Sequence, residues 1–219
     1  MSDPAYVFDA YGTLFDVHSA VARYADAIGD TADALSALWR DKQLQYTWIR
    51  ALAGRHLPFD VVTADALDFA ITATGGVPDG LRARLLEAYD QLSAYDEVPG
   101  VLARLKAGGA RLAILSNGTP QMLASAIVAA GLTDTFDAVL SVEEIGIYKP
   151  DARVYQLACD RLETPADAVR FHSSNRWDIA GAQAFGFTCT WVNRFGAPDE
   201  FGDMAPTRVV STLAPIADG

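Results

Sequence analysis

At 219 residues, 51% apolar and 21% charged, the chain can bury a core without staples, and its composition excludes fibrous, disordered and membrane-spanning classes. A formal charge of −11 argues against nucleic acid and anionic membrane as partners and leaves any anionic ligand to a few local cations. No apolar run approaches the roughly 18 residues of a membrane span, no secretory leader is evident, and Cys159 and Cys189 have neither metal nor redox spacing, so a cytoplasmic location is expected.

Tyr6-Val7-Phe8 reads as a short buried strand ending in Asp9, and the turn after it needs the backbone freedom of Gly12. From about residue 19 to 94 only helices are predicted. Thr31 is expected to cap a long one, whose Leu35, Leu38, Trp39, Tyr46 and Ile49 form an apolar stripe with Arg40 beside it. His56-Leu57-Pro58-Phe59 breaks that helix. Thr63 is expected to cap a second, ended by Gly75-Gly76, and Asp79 to open a third. Beyond Val98-Pro99-Gly100 the pattern alternates. Strands are expected at 111–115, 138–140, 169–172, 188–192 and 208–210, with helices at 101–107, from Thr119-Pro120 to Gly131, at 153–162 and at 178–185. This alternation predicts an α/β fold, a doubly wound, Rossmann-like parallel sheet with helices on both faces. Residues 1–16 and 95–219 form the predicted core, and residues 17–94 a helical cap subdomain inserted after the first strand.

Ligands of open parallel sheets bind beyond the carboxyl ends of the strands. Four such ends carry polar residues here: Asp9 with Thr13, Ser116-Asn117, Lys149, and Ser173-Ser174-Asn175 with Asp178. Each alone is ordinary loop chemistry, and an acid such as Asp178 near a helix start is favourable for structural reasons alone. Four in one chain point to one crevice.

The motifs Phe8-Asp9-Ala10-Tyr11-Gly12-Thr13, Leu115-Ser116-Asn117, Lys149-Pro150 and Ser174 to Asp178 resemble those of the haloacid dehalogenase superfamily, and the resemblance covers the whole chain. Most members are magnesium-dependent phosphatases, with a second Asp two residues after the nucleophile and an acid at the position of Ser174. Here Tyr11 and Ser174 stand there instead, so the carboxylates that magnesium favours are missing. The segments Ala37-Leu38-Trp39-Arg40, Tyr46-Thr47-Trp48, Tyr148-Lys149-Pro150-Asp151 and Ser173-Ser174-Asn175-Arg176-Trp177-Asp178 are similar to the L-2-haloacid dehalogenase branch. A magnesium-dependent phosphatase and a catalytically silent binding protein on the same fold are the alternatives.

The resemblance implies hydrolysis of small anionic L-2-haloalkanoic acids to D-2-hydroxy acids, with no cofactor and no metal. Asp9 is then the nucleophile that displaces halide, and Lys149 the cation that keeps it ionised. Arg40 captures the halide, a task suited to a guanidinium with several donors and a permanent charge. Ser116, with the N–H groups of Ala10, Tyr11 and Asn117, holds the substrate carboxylate, and Thr13 fixes the rotamer of Asp9. Asp178 is the leading base for water, positioned by Ser173 and Asn175, while Tyr155 orients Asp178 or Lys149. Tyr11, Leu44, Phe59 and Trp177 form the apolar wall. Two residues depart from the branch: Asp41, which could steer or weaken Arg40, and His172, read either as an aid to water or fluoride departure or as a satisfied strand-end histidine. A homodimer is the family expectation.

Overall fold

The computed structural model describes residues 5–217. Six parallel strands, β1 (Ala5–Phe8), β2 (Arg111–Ser116), β3 (Ala138–Ser141), β4 (Val169–Ser173), β5 (Thr188–Val192) and β6 (Arg208–Val210), form one sheet in the order β3-β2-β1-β4-β5-β6. Every residue of β1 is buried, as a central parallel strand covered on both faces requires. From β1 the chain builds outward through β2 and β3, then returns to the other side of β1 at β4. The direction of winding therefore reverses between β1 and β4. Asp9 follows β1 directly and Ser173 ends β4, so both stand at the crevice where such sheets bind ligands.

Nine helices accompany the sheet among the described residues. Five lie in the connection that follows β1: α1 (Ser19–Ala22), α2 (Ala25–Ile28), α3 (Ala32–Ala53), α4 (Phe59–Ala73) and α5 (Leu81–Asp90). The others are α6 (Val98–Ala107), α7 (Pro120–Ala129), α8 (Ala152–Leu162) and α9 (Arg176–Phe185). The helical segment leaves and rejoins the core at a single place. There Phe15 and Ala94 form an isolated antiparallel bridge, the Asp16 N–H donates to the Ser93 carbonyl at 2.8 Å, and the Tyr95 N–H donates to the Leu14 carbonyl at 3.1 Å.

The buried stripe of α3 is Leu35, Trp39, Gln43 and Thr47, one residue per turn. It differs from the predicted stripe: Tyr46 is half-buried and Ile49 is 55% exposed. Burying Leu35 fully contributes about 1.5–3 kcal/mol. Gln43 is buried because it is bonded: its Nε2 donates to Thr63 Oγ1 at 3.0 Å, and the Tyr89 hydroxyl donates to its Oε1 at 3.3 Å. The Trp39 indole N–H adds a bond to the Thr63 carbonyl at 2.9 Å. Thr63 thus sits inside α4 and joins it to α3; it is not a cap, since α4 starts at Phe59 after Pro58. Likewise α5 starts at Leu81 after Gly80, not at Asp79. Thr31 does precede α3, but its side chain makes no capping bond. Thr119 accepts the Met122 N–H at 3.2 Å and caps α7, with Pro120 at the first helical position.

Candidate active site

Beyond β1 the chain turns sharply, the Ala10 carbonyl accepting the N–H groups of Leu14 and Phe15 at 2.9 and 3.0 Å. Gly12 takes φ +91°, and a Cβ there would also press on Ser174 Oγ at 3.3 Å. The turn returns Thr13 to Asp9: Thr13 Oγ1 donates to Asp9 Oδ2 at 3.0 Å and accepts the Ser174 N–H at 2.8 Å. Asn175 Nδ2 donates to the same carboxylate oxygen at 2.8 Å. Lys149 Nζ donates to the other, Oδ1, at 3.1 Å. Asp9 is only 5% exposed, so each of these charge-assisted bonds acts in a medium poor in water.

Lys149 Nζ also donates to Asp178 Oδ2 at 2.7 Å, and the Tyr155 hydroxyl donates to Asp178 Oδ1 at 2.9 Å. Two buried carboxylates therefore share one buried ammonium. Burial disfavours the charged form of Lys149, but Asp178 and Asp9 outweigh it and hold the ammonium above its usual pKa. Burial pushes Asp178 up to about 6, Asp9 adds to that, and Lys149 and Tyr155 oppose it. Burial first, and Asp178 next, raise the Tyr155 hydroxyl well above its ordinary value, so it remains a donor.

Arg40 reaches this cluster from α3. Its Nη2 donates to the Tyr11 carbonyl at 3.1 Å and to Asn175 Oδ1 at 3.3 Å. Asn175 is thereby a crossing point: its amide meets Asp9, the Tyr11 carbonyl and Arg40, and its N–H donates to Ser173 Oγ at 3.1 Å. On the β2 side, Ser116 Oγ accepts the Gly118 N–H at 3.0 Å, and Asn117 Oδ1 accepts the Lys149 N–H at 3.1 Å. The N–H groups of Ala10, Tyr11 and Asn117 donate to no protein acceptor among the described residues. The Tyr11 ring stacks on Tyr89 at 5.6 Å, lies 5.8 Å from Phe59, and covers Gly118, where a Cβ would meet it at 2.6 Å.

Other predicted residues fall elsewhere. Leu44 is half-buried one helical turn beyond Arg40. Trp177 packs edge-on against Trp48 at 5.5 Å and lines, with Tyr148 and Pro150, a cavity of about 510 Å³ rather than the surroundings of Asp9. Asp41 is exposed and forms no ion pair with Arg40 among the described residues, because adjacent helical residues diverge. His172 turns its ring away from Asp9, and neither ring nitrogen has a partner among the described residues. It pairs in register with Phe8 and stacks on Phe8 and Tyr6 at 5.0 and 5.7 Å. Alternation along β1 sends Asp9 to the opposite face of the sheet.

Sequence reasoning gave Ser174 no role of its own; its hydroxyl donates to the Gly12 carbonyl at 2.5 Å and locks the turn. That reasoning missed Gln43 and Tyr89, although a polar residue one turn after Trp39 was a visible signal. Arg194, just past β5, donates to the Thr13 carbonyl and to Glu97 Oε1, each at 2.7 Å. Among the described residues no cluster of three or more His, Cys, Asp or Glu is placed to hold a metal; the charge between Asp9 and Asp178 is that of Lys149.

Residues 4–186 match the family model of the haloacid dehalogenase-like hydrolases. The chain belongs to this family. Within it, the chain is 52% identical over 213 residues to (S)-2-haloacid dehalogenase 1 of Pseudomonas sp. (strain CBS-3), covering 97% of this chain and 94% of that protein. A solved dehalogenase structure superimposes with a TM-score of 0.96 at 46% identity, over 98% of this chain and 96% of that one. The L-2-haloacid dehalogenase from Xanthobacter autotrophicus, solved with chloropropionic acid covalently bound, superimposes with a TM-score of 0.88 at 35% identity, over 99% and 97%. Among the described residues no helix of this family member is long and apolar enough to cross a membrane.

Proposed function

We propose that this chain hydrolyses small (S)-2-haloalkanoic acids, releasing halide and a 2-hydroxy acid of inverted configuration through an ester of Asp9. The observation that carries this reading is a desolvated carboxylate at the switch point of the sheet, donor-bound at both oxygens, with a guanidinium brought over it from α3.

In the first step an Asp9 oxygen attacks C2 in line, the carbon–halogen bond breaks, and the halide leaves with the electron pair. Arg40 receives the halide. Ser116 and the uncommitted N–H groups of Ala10, Tyr11 and Asn117 take the substrate carboxylate. In the second step water attacks the ester carbonyl carbon of Asp9, and the bond from that carbon to the alkyl oxygen breaks. The 2-hydroxy acid departs and Asp9 keeps an oxygen from water. Whichever Asp9 oxygen attacked first, the other retains a donor for the oxyanion: Lys149 on Oδ1, or Thr13 and Asn175 on Oδ2. Asp178 accepts the proton of water and returns it to the alkyl oxygen as the ester bond breaks, so that the product leaves as the alcohol. Its raised pKa, about 6, leaves it ionised yet basic near neutrality, which suits a general base. Tyr155 holds its second oxygen, and Ser173 fixes the loop that carries Asn175.

In this reading residues 17–94 act as a cap over the crevice, Tyr11 and Phe59 exclude bulk water, and the enzyme works in the cytoplasm as a homodimer. The exposed Ile49 and Leu52 of α3 and Phe69 of α4 are the apolar surface such a dimer would cover.

Asp9→Asn is expected to stop chloride release from (S)-2-chloropropionate. Enzyme quenched mid-turnover should carry an alkyl adduct on the peptide containing Asp9. In labelled water, the product of a single turnover should be unlabelled while Asp9 gains the solvent oxygen. An unmodified Asp9 peptide, or an undiminished Asp9→Asn enzyme, overturns the proposal.

A further inference from the structure

On the sheet face opposite Asp9, a cavity of about 290 Å³ opens across β1, β4, β5 and β6, and the chemistry above makes no use of it. Its floor holds His172 and Thr190, only 3% and 7% exposed, while Arg170, Arg208, Thr188 and Thr207 form an open rim. Strand register sets this arrangement. Arg170 lies beside Thr188, and His172 beside Thr190, which pairs in turn with Arg208.

Three observations point to a ligand. Neither ring nitrogen of His172 has a hydrogen-bond partner among the described residues, although buried polar atoms are rarely left unpaired. Arg170 donates to the Tyr6 hydroxyl at 2.6 Å and Arg208 to the Pro215 carbonyl at 3.3 Å, yet neither has a carboxylate partner among the described residues. In a chain of net charge −11, two such guanidiniums over one cavity are an unspent attraction for an anion. The rim adds threonine hydroxyls, which donate as readily as they accept.

We propose that this cavity binds a small oxyanion, a phosphate or a short carboxylate, held by Arg170, Arg208 and the threonine hydroxyls above His172. The donor set fits an acceptor-only ligand of this size, and forked guanidinium contacts favour oxyanions over single-atom anions. This site is separate from the one that takes the haloacid and stands whether or not that reading holds.

The linkage has a definite sign. Burial first, then the positive charges of Arg170 and Arg208, lower His172 to about 3 and keep it neutral. The other groups around it are the Tyr6 hydroxyl and the Phe8 ring from β1, Thr188 and Thr190 from β5, Thr207 just before β6, and Ile216 from the turn after β6. A bound anion offsets the two guanidiniums, so it raises the pKa of His172. Any proton uptake linked to binding is therefore confined to the acid range in which His172 titrates.

The test follows the His172 ring by NMR in the full chain, its signals assigned by their loss in His172→Gln, while inorganic phosphate and, separately, D-2-hydroxypropionate are added. Saturable movement of those signals and an upward displacement of the His172 pKa are expected. The arm that saturates at lower concentration identifies the source of the oxyanion. Arg170→Gln and Arg208→Gln, both at exposed positions, should each weaken the binding about tenfold while chloride release stays unchanged. No saturable movement with either anion, or movement undiminished in the double variant, overturns the proposal.

Discussion

Asp9 and His172 sit one hydrogen bond apart at the centre of the sheet, the Asp9 N–H donating to the His172 carbonyl at 2.9 Å. Their side chains leave on opposite faces and meet opposite fates. Asp9 enters a cluster in which Lys149, Thr13 and Asn175 engage both its oxygens, and Asp178 balances the far side of the ammonium. His172 enters a cavity where the nearby charges are guanidiniums of the sign it would itself acquire, and neither nitrogen finds a partner among the described residues. Both groups are almost fully buried. Burial alone therefore does not make a reactive group; the sign and placement of the neighbours decide whether a charge survives.

The comparison breaks most severely at Lys149. Lys149→Met leaves Asp9 and Asp178 facing each other in the interior without a cation, and about 3–5 kcal/mol of stability should be lost at neutral pH. Halide release should vanish with it. Because protonation relieves the repulsion, the deficit should shrink in acid. Urea denaturation at pH values above and below about 6 measures this, and a variant within about 0.5 kcal/mol of the parent would contradict the shared-ammonium account.

A smaller effect sharpens the Asp9 side. With Asp178 raised to about 6 by burial, turnover should decline as the pH falls through that value and the base is protonated. The stability linkage has the opposite sense. The folded state keeps a proton that the unfolded chain releases near 3.8, so the contribution of Asp178 to stability diminishes as the pH rises from there to about 6. Asp178→Asn should lose both dependences. A pH–rate profile for hydrolysis of the ester that keeps the same acid limb in this variant would remove Asp178 from its role.

On the other face the expected effect on turnover is nil, and the effect is on stability alone. Unfolded, His172 takes up its proton near 6.5; folded, it does so only near 3, so stability is lost as the pH falls through that window. His172→Gln should flatten that part of the acid-unfolding curve and leave halide release unchanged. Equal acid lability of parent and variant would mean that the ring is not held neutral by its surroundings.

The parallel sheet and the polar strand ends were legible in the sequence because both follow from short-range pattern: buried apolar runs, and polar or charged residues in the loops where those runs stop. Asp9, Thr13, Lys149, Asn175 and Asp178 were accessible in this way, and the structure brings them into one bonded group. The α3 stripe was misread because Gln43 and Thr47 are polar, and what buries Gln43 is a bond to Thr63, 20 residues away. Thr63 looked like a cap for the same reason, since its partners lie on another helix. The sequence left two readings of His172 open, and what separates it from Asp9 is the two-residue period of a strand, which puts neighbours on opposite faces. Arg194 escaped notice because its partners, Thr13 and Glu97, lie 181 and 97 residues away along the chain. Contacts between distant segments carry no local signature.

Arg40 is the one member of the bonded cluster supplied by the long helix; every other member comes from a strand end or the loop and first turn that follow it. The chain passes between the helical segment and the sheet at the paired connections Leu14–Asp16 and Ser93–Tyr95. Any rocking about that joint wide enough to admit a solute also carries the guanidinium away from the Tyr11 carbonyl and Asn175. The bonded cluster is therefore complete only when the helical segment and the sheet are seated against each other, because one of its cations is carried by the former and all its carboxylates by the latter.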